Sequence, residues 1–309
     1  MGGGPEARRI SAGGGRAPPY RYEFAPPPTG IARRVNTFYT LETEAGRIEE
    51  MMPAYSAQIF VFIRGSAHIR YVGGGEGRSE SITINAPLLR AAPFAIQGPA
   101  LIVGASLTPT GWAALADLPV DKVHDATLSA GDILGADALA RIERAMEGGA
   151  EAVIAALGEV IGAADRGPVA AHMPTIKAIA AWLAGSFNPA LESLHRSSPV
   201  ASRQLQRVSR RYYGVPPAQL AKRVRAIRAA MLLANPDLPE PMREEVLGAY
   251  FDQAHLIRDI RRFTGRKPSD LVLKGLARST LDPAAHGPAA DPLRATGRAD
   301  LPVVTGLSR

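Results

Sequence analysis

Two short segments near the C-terminus constrain this 309-residue chain more than any other feature. The first runs from Ala201 to Gly214 and the second from Asp252 to Gly265. Each sets apolar residues three or four apart, Leu205, Val208 and Tyr212 in the first, Leu256, Ile260 and Phe263 in the second. That spacing is the signature of an amphipathic helix. Each loads the opposite face with Arg and Gln, side chains that reach phosphates and base edges of the major groove. Each stops at a glycine suited to the left-handed residue that closes a helix. Each therefore reads as the second helix of a helix-turn-helix, and two in tandem read as a DNA-binding module.

Charge points the same way. Asn188 to Gly275 holds sixteen Lys and Arg against eight Asp and Glu, a local balance of +8, while the rest of the chain sums to −1. The excess that makes the whole chain +7 thus lies in the segment bearing the two helices, the footprint expected for a polyanion partner. With no cysteine there is no disulfide, thiol nucleophile or Cys-ligated zinc to expect. No run of about 18 apolar residues exists to span a bilayer, and no apolar stretch follows the N-terminal charges as in a signal peptide. A cytoplasmic protein without a membrane partner is expected.

Along the chain, residues 1–30 are rich in Gly, Pro and Arg and read as disordered, as do 276–309. Residues 31–167 open as a β-rich domain. Gln58 to Ile63, closed by Arg64-Gly65, and Ala67 to Val72, closed by three glycines, read as separate short strands, followed by Ser81–Ile84 and Ala100–Val103. Short strands punctuated by Gly and Pro suggest an antiparallel sandwich or barrel. Trp112, Phe60, Phe62 and Tyr71 are expected in its core rather than around a ligand. From Asp137 the pattern turns helical and Ala-rich. Residues 168–275 then read as helix, helix-turn-helix, a connecting helix from Pro216 to Asn235, helix-turn-helix, helix. The fold class is α+β: a β-rich N-terminal domain with trailing helices, then an all-α tandem helix-turn-helix domain.

The stretch Ala249-Tyr250-Phe251-Asp252-Gln253-Ala254-His255-Leu256-Ile257-Arg258, with Phe263-Thr264-Gly265 and Pro268, resembles the signature of the AraC family of bacterial transcription regulators. Ser202 to Arg207 with Gly214 and Pro217 is similar to that family's earlier unit. The resemblance covers somewhat under a third of the chain. Ala249 stands where Gly is usual, Ala201 where a Ser or Asp caps the helix, and Ser209 where a core Phe is usual. Tyr212 or Tyr213 can refill the space left by that Phe. More weakly, Ile102 to Leu115 resembles the strand, Pro-x-Gly turn and helix of the family's sensory domains, which are β-rich and cupin-like and often take a small effector or a partner subunit.

The resemblance implies double-stranded DNA as partner, a homodimer, a small-molecule effector of unstated identity, and RNA polymerase if the protein is an activator. No cofactor, metal or catalytic residue is expected: the His residues lack metal-ligand spacing, and Gly73 to Gly77 lacks the Lys-Ser/Thr of a phosphate loop. In the first unit Ser202, Arg203, Gln204, Gln206, Arg207 and Arg210 are the candidate DNA contacts. In the second they are Gln253, Ala254, His255, Arg258, Arg261 and Arg262, with Arg266, Lys267 and Arg243 as further phosphate contacts. His255 has a second reading, as an internally partnered polar residue. Two units on a stiff helix imply groove segments about 34 Å apart, reached by bending the duplex at a cost of about 1–6 kcal/mol or by engaging one unit only. A competing reading is a protein–protein module on a degenerate helix-turn-helix scaffold; a β-domain enzyme fused to a DNA-binding domain is a third.

Overall fold

The computed structural model describes residues 8–9, 20–235 and 238–273. Its N-terminal part is one antiparallel sheet: β1 (Arg8–Arg9), β2 (Tyr20–Ala25), β3 (Val35–Thr43), β4 (Arg47–Met52), β5 (Gln58–Arg70), β6 (Glu76–Arg78), β7 (Ile82–Asn85), β8 (Ala92–Leu107) and β9 (Thr127–Ser129). The strands run in the order β1-β2-β3-β8-β5-β7-β9, with β4 on β8 and β6 on β5. Residues from β2 through β9 line a single cavity, so the sheet is rolled. Helices α1 (Pro109–Leu115), α2 (Val120–Val123), α3 (Ala130–Leu134), α4 (Ala136–Met146) and α5 (Gly149–Ala163) follow. Val35, Phe38, Ile59, Val61 and Val103 on the outer face of the sheet form one core with Trp112, Ile142, Leu157 and Ile161 of those helices.

Three expectations need correction. Tyr20–Ala25 lies within 1–30 yet is a strand, paired along its whole length with β3. Its alternation, Tyr-Arg-Tyr-Glu-Phe, is itself a strand pattern, outweighed in the sequence reading by the Gly and Pro around it. The remaining residues of 1–19, and 276–309, lie outside the described residues. Second, the two strands expected on either side of Arg64-Gly65 are one, β5. Gly65, at φ +84, marks a register irregularity rather than a turn. The bulge shifts the inward-facing set from Gln58, Phe60 and Phe62 to Ala67 and Ile69, all of which line the cavity. Third, Ala100–Val103 is the middle of the sixteen-residue β8. Pro99 is tolerated there because it falls between the stretch paired to β4 and the stretch paired to β3.

The C-terminal part is all helix: α6 (Met173–Ala184), α7 (Leu191–Ser197), α8 (Ser202–Tyr213), α9 (Pro217–Leu233), α10 (Glu240–Gly248), α11 (Gln253–Thr264) and α12 (Pro268–Leu273). Among the described residues no helix is long and apolar enough to cross a membrane. Trp112 and Tyr71 are core residues as expected, whereas Phe60 and Phe62 form part of the cavity wall.

The joint between sheet and trailing helices rests on Arg34. Its Nη1 donates to the carbonyls of Ile161, Gly162 and Ala164 at 2.7, 2.9 and 2.8 Å, satisfying the open end of α5. Arg34→Met keeps the stem but removes these charge-assisted bonds, and is expected to lower stability by about 1.5–3 kcal/mol. Urea unfolding followed by circular dichroism measures this; a change below about 0.5 kcal/mol refutes the capping role.

Candidate nucleic-acid interface

Helix α8 buries Leu205, Val208, Tyr212 and Tyr213, and leaves Ser202, Arg203, Gln206, Arg207 and Arg210 exposed, with Gln204 half-buried. The periodicity of the sequence has sorted these side chains as expected. Ala201, at its N-cap, has extended backbone but no side chain to accept a hydrogen bond, so the first turn is left with open N–H groups. Ser209 is fully buried and its hydroxyl donates to the Val215 carbonyl at 2.7 Å. Tyr212 and Tyr213 are both buried in the core that Leu205 and Val208 share.

Helix α11 buries Leu256, Asp259, Ile260 and Phe263, and exposes Gln253, Ala254, Arg258, Arg261 and Arg262. Here the cap is present: the Asp252 carboxylate accepts from the His255 N–H at 2.6 Å. The His255 ring is turned toward protein groups, Nε2 3.3 Å from Asp259 and the ring edge-on to Tyr250. That is the second of its two expected readings, although the side chain remains 30% exposed. Phe251, next to the cap, is 95% exposed. An exposed phenyl at that position carries no sequence signal, because apolar residues are assigned inward by default.

Both recognition-like helices pack on α9. Leu220 joins the core around Leu205 and Val208, while Ala229, Ala230 and Leu233 join the core around Leu256 and Ile260. A buried acid adds a brace. Asp259, 4% exposed, meets Lys222 at 3.0 Å and Arg225 at 3.6 Å, both from α9. Arg225 also lies over the Tyr250 ring at 4.5 Å and donates to the Ala249 carbonyl at 3.2 Å.

Not all the expected cations are free. Arg266 is buried in an ion pair with Glu50 of β4, so the expectation that it touches phosphate is corrected: the turn after α11 faces the sheet, not solvent. Arg211 pairs with Asp117 at 2.7 Å, and Arg243 lies 3.5 Å from Glu240. Lys267 is exposed.

A cavity of about 90 Å³ lies inside the sheet. Its wall is chiefly Tyr22, Tyr39, Phe60, Phe62, Ile96 and Ile102, with Tyr22 and Tyr39 stacked at 5.4 Å. Two polar pairs lie in the wall: Tyr39 donates to Gln58 at 2.9 Å and Thr127 to Asn85 at 3.0 Å. Burial pushes the phenols of Tyr22 and Tyr39 well above their usual range, keeping them neutral. At the rim, His68 and Arg78 face Glu76 at 2.9 and 3.6 Å.

No protein-family model and no curated protein matches this chain. Among solved structures it is similar to ToxT from Vibrio cholerae O395, at 10% identity and TM-score 0.43, over 77% of this chain and 98% of that one. ToxT bound to (E)-4-(8-methylnaphthalen-1-yl)but-3-enoic acid gives 10% identity, TM-score 0.42, and 76% and 98% coverage. The AraC-like transcriptional activator CuxR gives 13% identity, TM-score 0.32, and 75% and 82% coverage.

The bare N-terminus of α8 generates a direct expectation. Ala201→Ser places a hydroxyl where the extended backbone allows it to accept from the first-turn N–H groups. A stabilisation of about 0.5–1 kcal/mol is expected in chemical unfolding, and no gain refutes the uncapped end.

Proposed function

We propose that this protein is a sequence-specific DNA-binding transcription regulator whose β-rich domain receives a small effector. One observation carries the reading: two helices, each with an outward face of Arg and Gln, are fixed to a single strut, α9. Arg203, Gln206 and Arg207 on α8, and Gln253, Ala254 and Arg258 on α11, are the base-reading candidates. Ser202, Gln204, Arg210, Arg261 and Arg262 serve the flanking phosphates, and His255 orients α11 through Asp259 while its exposed edge faces the backbone. Bidentate Arg–guanine and Gln–adenine pairs supply the sequence choice, and phosphate contacts supply affinity and salt dependence.

The effector site is the cavity in the sheet. Its aromatic wall favours a compact molecule with a largely apolar body, because a polar body would lose its hydration against that wall. A homodimer reading paired half-sites, contact with RNA polymerase if the protein activates, and a cytoplasmic location all follow from the same reading.

Selection of duplexes from a random pool, then anisotropy titration at varied salt, tests it. A protein making about six phosphate contacts gives a log–log salt slope near −5. Arg207→Ala and Arg258→Ala are each expected to cost about 1–3 kcal/mol on the selected site and to relax sequence choice. Absence of any duplex complex at 50 mM salt would falsify the regulator and leave the protein–protein module standing.

A further inference from the structure

We infer that Phe251 is a specificity-determining residue: its phenyl closes on the C5 methyl of a thymine and fixes one base of the site read by α11. The inference rests on the reading of α11 as a groove-reading helix and deepens it. The phenyl is 95% exposed, whereas the next most exposed large apolar side chain among the described residues, Val169, reaches 49%. A ring left in water forfeits the stabilisation that burying an aromatic side chain brings.

Within the fold this ring has no task. Phe251 precedes the N-cap Asp252, the position from which an apolar residue packs on the fourth residue of the helix and fixes how the chain enters it. That fourth residue, Leu256, is buried, but it shares its core with Tyr250 and not with Phe251. Helix α8 shows the ordinary arrangement: Val200, before the N-cap Ala201, packs on the core that holds Leu205, the fourth residue of that helix. At α11 the aromatic pair is split, Tyr250 lying beneath Arg225 and Phe251 standing in solvent.

The surroundings of the phenyl select its partner. In a helix-turn-helix the first turn of the second helix meets the base edges, and Phe251 immediately precedes the cap of that turn. The exposed side chains that follow are Gln253, Ala254 and Arg258, with Arg261 and Arg262 beyond. The one acid at this end, Asp252, is engaged by the His255 N–H. A neutral-to-basic surface of this kind suits a duplex better than a second protein. In the major groove the apolar group on a base edge is the thymine methyl, which both Phe and Ala can contact. Helix α8 opens with Ser202, Arg203 and Gln204 instead, so the two units read different sequences, and only that of α11 calls for a methyl.

Selection from a random duplex pool with the full chain, then anisotropy titration, tests the inference. In the half-site whose selection Arg258→Ala relaxes, the wild type is expected to retain a fixed thymine. Phe251→Ala is expected to lose that thymine and keep the remaining bases. On the selected duplex Phe251→Ala weakens binding about tenfold, and Phe251→Leu keeps most of the affinity. Neither changes the log–log salt slope, because an apolar contact releases no counterion. Deoxyuridine in place of that thymine removes the methyl alone; it weakens the wild type about fourfold and leaves Phe251→Ala unaffected. If Phe251→Ala binds and selects as the wild type does, the inference is overturned and the phenyl is left for a protein partner. A loss in Phe251→Ala that deoxyuridine does not reproduce in the wild type, or one accompanied by a changed salt slope, overturns the methyl contact while the DNA reading stands. A wild type that binds no duplex sinks the DNA reading and this inference with it.

Discussion

Helix α9 has to serve two cores at once, and the geometry of both recognition-like helices follows from how it does so. At seventeen residues it spans about 25 Å. Its first half offers Leu220 to the core of α8; its second half offers Ala226, Ala229 and Ala230, all fully buried. Small residues let α11 approach closely, and Asp259 then fixes its rotation by drawing Lys222 and Arg225 from two successive turns of α9. A carboxylate at 4% exposure is tolerable only because those cations, with His255, surround it. Separation and relative rotation of the two outward faces are thus set by packing, before any partner arrives.

The sheet domain grips this unit from behind. It touches both helices at the same point, the left-handed glycine that ends each, Gly214 at φ +80 and Gly265 at φ +75. Without a Cβ there, Leu89 and Met51 can close on the backbone, and any other residue would be strained in conformation as well as crowded. Acidic groups of the sheet domain, Asp117 and Glu50, take up Arg211 and Arg266 at these contacts. Part of the positive excess is therefore spent inside the protein. What remains exposed is concentrated on the outer faces of α8 and α11.

Much of this was legible in the sequence wherever period and punctuation agreed. The 3.6-residue spacing of Leu205, Val208 and Tyr212, and of Leu256, Ile260 and Phe263, placed the buried faces, and the glycines placed the helix ends. The strands were harder. A bulge at Gly65 and a partner change at Pro99 look like turns in one dimension, because the neighbours that keep β5 and β8 continuous are distant in sequence. Arg266 was misread for the same reason: nothing within four residues announces Glu50. Phe60 and Phe62 showed their apolar character but not that the face they share encloses a cavity, since wall and filled core have one composition.

The two units are also unequal, and the inequality has a physical reading. Helix α11 has a cap in Asp252, a brace in Asp259 and a tether in Arg266; α8 has an open N-terminus and a buried hydroxyl at Ser209 that spends itself on a local carbonyl. Order that exists before binding need not be created during it, so a preorganised helix discriminates at lower entropic cost than one that must settle. The first turn of α8 lacks the side-chain acceptor that Asp252 gives α11, so its end depends on water for the bonds the other helix makes within the chain.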